Sequence, residues 1–202
     1  MLRIFFAALA LGATQVAAQG SPTALPSVGD SWTYRFSDGY NKTGNYSVRI
    51  TAAKPGEISD EASYGKARHA ATFEPGLETV SRGLGALPVR EISPYLLALG
   101  PFEGTTEWKN VLVLTDGPPF TARLLGKETV VVPAGTFEAW KIHIKGGQIL
   151  VEQGPVRPYN VMVWYAPAAK RFVRLTFTAH VVAGGYFPAD KDSIELTEFK
   201  VQ

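Results

Sequence analysis

Cysteine is absent from the 202 residues, so a thiol nucleophile, a thiolate metal site and a disulfide are all excluded. Few other residues could do chemistry. Gly29-Asp30-Ser31 offers a serine, but a nucleophile there would need an apolar strand before it, a helix after it, and a base with an orienting acid. Here a Pro-rich stretch precedes Ser31, a strand-like alternation follows it, and His180 has Phe177, not an acid, three residues before it. The nucleophile elbow Gly-x-Ser-x-Gly does not occur. His69, His143 and His180 lie on separate predicted strands without His-x-His or His-x-x-x-His spacing. A zinc site would have to assemble in three dimensions, with Glu138 or Glu195 as partners, although zinc usually draws on locally spaced ligands as well. Neither the phosphate-cradling Gly-x-x-x-x-Gly-Lys nor a dinucleotide fingerprint is present. The expectation is a protein that is not an enzyme, with no catalytic residue, metal or cofactor assigned.

What remains is aromatic. Trp32, Tyr34, Phe36, Tyr46, Trp140, Tyr159, Trp164 and Phe177 can all be the core of a curved sheet, since sheets bury such rings routinely. As a set they could also line a cavity, because an uncovered apolar surface marks a binding site. The candidate ligand-binding residues are Trp32, Tyr34, Phe36, Trp140 and Trp164. Leu96 and Leu99 join them from Leu84 to Gly104, a segment broken by Gly85, Pro88, Pro94, Gly100, Pro101 and Gly104 and read as a long covering loop, lid or plug.

The elements that would position these residues are strands. Thr129 to Ile144 reads as a hairpin across Pro133-Ala134-Gly135, with Pro133 presetting the turn and Gly135 free to take a positive φ. Its second strand is expected to place Trp140, Ile142 and Ile144 on one face and Phe137, Ala139, Lys141 and His143 on the other. An earlier hairpin sets Trp32, Tyr34 and Phe36 beside Tyr46, Val48 and Ile50, each worth roughly 1.5 to 3 kcal/mol if buried. Short strands are expected near Arg68 to Phe73 and Glu78 to Ser81, then from Glu107 to Thr115, Phe120 to Val132, Tyr159 to Tyr165 and Arg171 to Thr178. Ser193 to Val201 closes the chain, and its switch from Ile194 and Leu196 to Phe199 and Val201 predicts a bulge near Thr197. The fold class is therefore all-β: a curved antiparallel sheet of about 8 to 10 strands with little helix.

Met1-Leu2-Arg3, the apolar run Ile4 to Leu11 and the small residues Val16-Ala17-Ala18 describe a secretory signal peptide. Residues 1 to 18 form that signal, 19 to 28 an irregular lead-in, and 29 to 202 a single domain. Losing Arg3 lowers the net charge from +2 to +1, and the interspersed charges argue against a nucleic-acid partner or an electrostatic membrane anchor. With no cysteine to lipidate and no second apolar run, the expectation is a periplasmic protein that neither spans nor is tethered to a membrane.

GDSWTY in the first strand, the VVVPAGTFEAWKI hairpin, WYAPAAKRFVRL and the closing ELTEFK together resemble a family of uncharacterised exported bacterial proteins. The resemblance implies a half-open β-barrel similar to that of periplasmic lipoprotein carriers, with a concave apolar face. The function expected from it is a soluble periplasmic protein holding an apolar small molecule, a lipid or a lipidated partner on that face. The alternative is an envelope assembly protein that recognises another chain through an exposed strand edge, with no small-molecule ligand.

Overall fold

The structure, a computed structural model, describes residues 25–39, 41–74, 79–92, 94–95, 107–111, 120–149, 156–179 and 192–202. Twelve strands and one 3-10 turn make it up: β1 (Ser31–Ser37), β2 (Thr43–Lys54), β3 (Glu57–Tyr64), β4 (Ala67–Phe73), β5 (Thr79–Leu84), β6 (Leu87–Ile92), β7 (Glu107–Val111), β8 (Phe120–Val132), β9 (Gly135–Ile149), β10 (Val156–Ala166), the turn Pro167–Ala169, β11 (Arg171–Ala179) and β12 (Ser193–Lys200). Ten strands form one antiparallel sheet in the order β4-β3-β2-β1-β12-β11-β10-β9-β8-β7, while β5 and β6 form a separate two-stranded hairpin. The chain is thus all-β, as its alternating pattern dictates, and the large sheet is not closed into a barrel.

The first hairpin behaves as its period-two pattern requires. Trp32, Tyr34, Phe36, Tyr46, Val48 and Ile50 are all buried on one face. Tight turns extend this wing: Pro55-Gly56 joins β2 to β3 with Gly56 at φ +78°, and Gly65 opens the β3–β4 turn at φ +56°. β12 pairs with β1 and skips Thr197 between Leu196 and Glu198, the bulge that the parity change predicts. The Thr197 hydroxyl caps it by donating to Thr33 O at 3.0 Å.

The β8–β9 hairpin turns at Pro133-Ala134, with Gly135 at φ +137° and paired to Val132. Trp140, Ile142 and Ile144 pair with Tyr165, Val163 and Val161 of β10 in unbroken register, so they share a face as alternation requires. Phe137 and Ala139 are buried as well as Ile142 and Ile144, while Trp140 is only half-buried. The β8–β9 register shifts between Leu124 and Gly126, a bulge that places the extra residue on β8.

The sheet curls. β11 pairs with β12 only from Arg174 to Thr176, and the Leu196 carbonyl instead accepts the Ala134 N–H of the β8–β9 turn at 3.1 Å. Phe137 then meets Phe199 edge-on, centroids 5.5 Å apart. Against the inner face lies the β5–β6 hairpin, turning at Gly85 (φ +64°). Its strand register places Val80, Arg82, Leu84, Leu87, Val89 and Glu91 on one side, and of these only Val80 falls short of full burial. The stretch expected to be loop from Leu84 onward is therefore partly a strand, β6; Leu96 to Gly104 lie outside the described residues.

Candidate functional site

Two arginines and two carboxylates meet beneath the hairpin, all four fully buried. Asp60 comes from the inner side of β3, between the buried Ile58 and Ala62. Arg82 and Glu91 come from the hairpin, and Arg171 from the first position of β11. In a flat sheet, four ladder steps of about 4.8 Å would put β3 and β11 roughly 19 Å apart. Arg171 Nη2 and Asp60 Oδ2 are 3.8 Å apart, so the curl of the sheet and the reach of the arginine together bring the two wings to one point.

The two arginines are not equally served. Arg82 donates from Nη1 and Nη2 to the two oxygens of Asp60 at 2.9 and 2.8 Å, and from Nε to Glu91 Oε2 at 2.7 Å. Arg171 donates from Nη2 to the same Oε2 at 2.7 Å. Its Nε and Nη1 are buried with no partner among the described residues. Instead it sits among four rings, its Cζ 5.6 Å from the centroid of Trp32, 5.1 Å from Tyr34, 5.0 Å from Tyr95 and 4.8 Å from Phe172. These rings attract the charge but leave its N–H edges unbonded.

Tyrosines complete the carboxylates: the Tyr46 hydroxyl donates to Glu91 Oε1 and the Tyr95 hydroxyl to Asp60 Oδ2, both at 2.7 Å. Burial pushes the Glu91 carboxyl up, but the charges of Arg171 and Arg82 outweigh it and hold it at about 2. Burial likewise works against the Arg171 charge, and Glu91 with the other acidic partners more than reverses it, so the guanidinium is held even more firmly protonated than usual. Burial first, then the Glu91 and Asp60 charges, keep Tyr46 and Tyr95 respectively well above the ordinary phenol range. The group holds two basic and two acidic side chains, so its formal charges balance.

The sequence-derived candidates divide. Trp32, Tyr34 and Phe36 are brought together in the core; the Trp32 indole donates to Ala169 O and the Tyr34 hydroxyl to Phe172 O, each at 2.7 Å. Trp164 belongs to the opposite side of its strand, between the buried Val163 and Tyr165, with its Nε1 donating to Glu128. That bond, with Lys141 adding to it, holds the Glu128 carboxyl below its ordinary range. Lys141 and Arg174 lie over the Trp164 ring at 5.3 and 5.8 Å. Trp140 has the Lys127 ammonium 4.4 Å from its ring centroid. Trp164 is partly buried and packs against the core cluster that contains Trp32, and Leu96 and Leu99 lie outside the described residues.

Sequence reasoning missed Asp60, Arg82, Glu91 and Arg171. It also missed Asp30, which is fully buried and accepts from Lys170 Nζ at 3.2 Å and from the backbone N–H groups of Ser27 and Gln202 at 2.9 and 3.0 Å. The acid of Gly-Asp-Ser is a structural clasp between β1 and the last residues. His69 accepts from Gly83 N at 3.3 Å, and His143 is 3.3 Å from Asn160 Oδ1. No three metal-ligating side chains converge among the described residues, and no helix there is long and apolar enough to cross a membrane.

No family model and no curated protein matches the sequence. Two solved structures are similar in shape. One, from Bacteroides fragilis, is described as an exported protein with a YmcC-like fold; it shares 12% identity over 87% of this chain and 97% of its own, at a TM-score of 0.46. The other, described as a lipoprotein from Parabacteroides distasonis, shares 12% identity over the same fractions at a TM-score of 0.47.

Proposed function

We propose that the protein is an exported, soluble binding protein, not an enzyme, which takes an apolar ligand or a lipidated partner onto the inner face of its curled sheet when the β5–β6 hairpin lifts away. The observation that carries this reading is that the inner face is covered by a hairpin that shares no strand pairing with the sheet and is seated on it, among the described residues, by side-chain contacts and the bond from Gly83 N to His69. Its turn-proximal side chains Leu84, Leu87 and Val89 are buried against that face. Withdrawing the hairpin would uncover β2 beside Gly44, where Leu87 now lies, and would free the Tyr46 hydroxyl from Glu91.

The charges beneath support the same reading. A core that needed only to be filled gains little from buried ion pairs, since well-packed apolar residues are often as stabilising or more so. Here the charges separate evenly. Arg82 and Glu91 leave together on the hairpin as a bonded pair, while Asp60 and Arg171 stay together on the sheet. Neither half carries a lone charge when the cover opens. The signal-like residues 1 to 18 support export.

The test is native mass spectrometry of the mature protein purified gently from a periplasmic extract, followed by solvent extraction and lipid analysis. The expected result is a co-purifying apolar molecule, and uptake of the neutral fluorophore N-phenyl-1-naphthylamine by the protein stripped of it. A ligand-free mass with no uptake of the fluorophore overturns the proposal and leaves recognition through a strand edge as the reading to pursue.

A further inference from the structure

We infer that Arg171 is the seat for an anionic head group on that apolar ligand, a carboxylate or phosphate, and that Glu91 of the hairpin occupies the seat while the cover is closed. The inference rests on the binding function proposed above and names the ligand class.

The asymmetry between the two arginines carries it. Arg82 spends three nitrogens on two carboxylates, whereas Arg171 spends one on Glu91 and leaves two, at zero exposure, without a partner among the described residues. Buried polar groups are nearly always bonded, so an exception of this kind calls for a missing partner. A carboxylate or phosphate pairs best with two nitrogens of one guanidinium edge. Both usable edges, Nε with Nη2 and Nη1 with Nη2, include the Nη2 that Glu91 now holds. An anion that takes the edge Glu91 now holds displaces it and gains a second nitrogen that Glu91 does not use.

The surroundings suit an amphiphile. Trp32, Tyr34 and Phe172 flank the guanidinium from the sheet, so the charged head would sit at one end of an apolar floor. The other charges facing the seat are Asp60, 3.8 Å from Nη2, and Arg82, which departs with the hairpin. Asp60 opposes a second anion, so removing its charge should strengthen the seat.

The experiment compares dodecanoate with dodecan-1-ol, which share a chain and differ in the head, by displacement of N-phenyl-1-naphthylamine at pH 8. The ratio of the two affinities is the readout, because loosening the hairpin helps both probes equally. The expected ratio favours dodecanoate by about tenfold or more, as a charge-assisted bond would give. Glu91→Gln and Asp60→Asn should each raise it. Arg171→Met with Glu91→Gln, which leaves no orphaned charge between that pair, should bring it to about one. Should that double variant fail to fold, Glu91→Gln decides alone. Equal affinities in the wild type, unchanged by Glu91→Gln, overturn the anionic seat and leave a neutral apolar site. Binding of neither probe overturns the seat and the binding function together.

Discussion

Glu91 is the residue on which the buried group turns, because of the two carboxylates it is the one hydrogen-bonded to both arginines as well as to a tyrosine. Its carboxyl is at about 2 in the folded protein against an ordinary 4.5. A folded value below the unfolded one means that the unfolded chain binds the extra proton first. The stabilisation is therefore complete above about pH 4.5 and is lost as pH falls toward 2, a difference on the order of 3 kcal/mol. Urea titrations across that window should show the wild-type midpoint falling steadily. Glu91→Gln should start a few kcal/mol less stable at neutral pH, since it weakens a buried pair, and should descend less steeply. Parallel curves for the two proteins would mean that Glu91 is not ionised in the core.

At the scale of the element, the hairpin decides whether the inner face is reachable, and its tip offers a way to hold it shut. A Cβ built at Gly85 lies 3.9 Å from the Cβ of Ala67 on β4, within the span of a disulfide. The chain has no other cysteine to interfere. Ala67→Cys with Gly85→Cys should oxidise to a single intramolecular bond, abolish uptake of N-phenyl-1-naphthylamine, and recover it on reduction. The left-handed φ of +64° at Gly85 makes the cysteine there cost about 1 to 2 kcal/mol, which the reduced variant reports separately. Uptake unaffected by the bond would show that ligand enters elsewhere. The same hairpin marks where the sequence is legible and where it is not. Val80-x-Arg82-x-Leu84, Gly-Ala, Leu87-x-Val89-x-Glu91 is a hairpin pattern with a two-residue turn, but Arg82 and Glu91 read as polar breaks in it, and Asp60 makes β3 read as a solvated acidic stretch. Charges that neutralise one another across four elements leave no local trace. By contrast Trp32, Tyr34, Phe36 and the Thr197 bulge are legible because alternation and its interruption are local.

The whole molecule is two meanders joined along one seam. β1 to β4 run out along one wing, β7 to β12 return from the other, and the seam is the pairing of β1 with β12, where Thr33 meets Glu198. Contacts that distant in sequence must close the longest loop in the chain, so the seam is costly to form and tends to break only when the domain unfolds as a whole. Asp30 reinforces it by bonding Lys170 and the Gln202 backbone from beside β1. The hairpin stands outside this framework: its ladder bonds run only between β5 and β6, and it can leave without breaking one hydrogen bond of the large sheet's strand ladder. Native-state hydrogen exchange should therefore divide the molecule. Amides of residues 79 to 92 should exchange through an opening smaller in free energy and less sensitive to denaturant than that of residues 31 to 50 and 193 to 200, which should exchange together near the global value. Saturating dodecanoate should widen the gap, since an anion seated on Arg171 favours the displaced hairpin without loosening the seam. If residues 79 to 92 exchange only with the seam, the cover does not open in the native protein, and an inner-face ligand would have no way in.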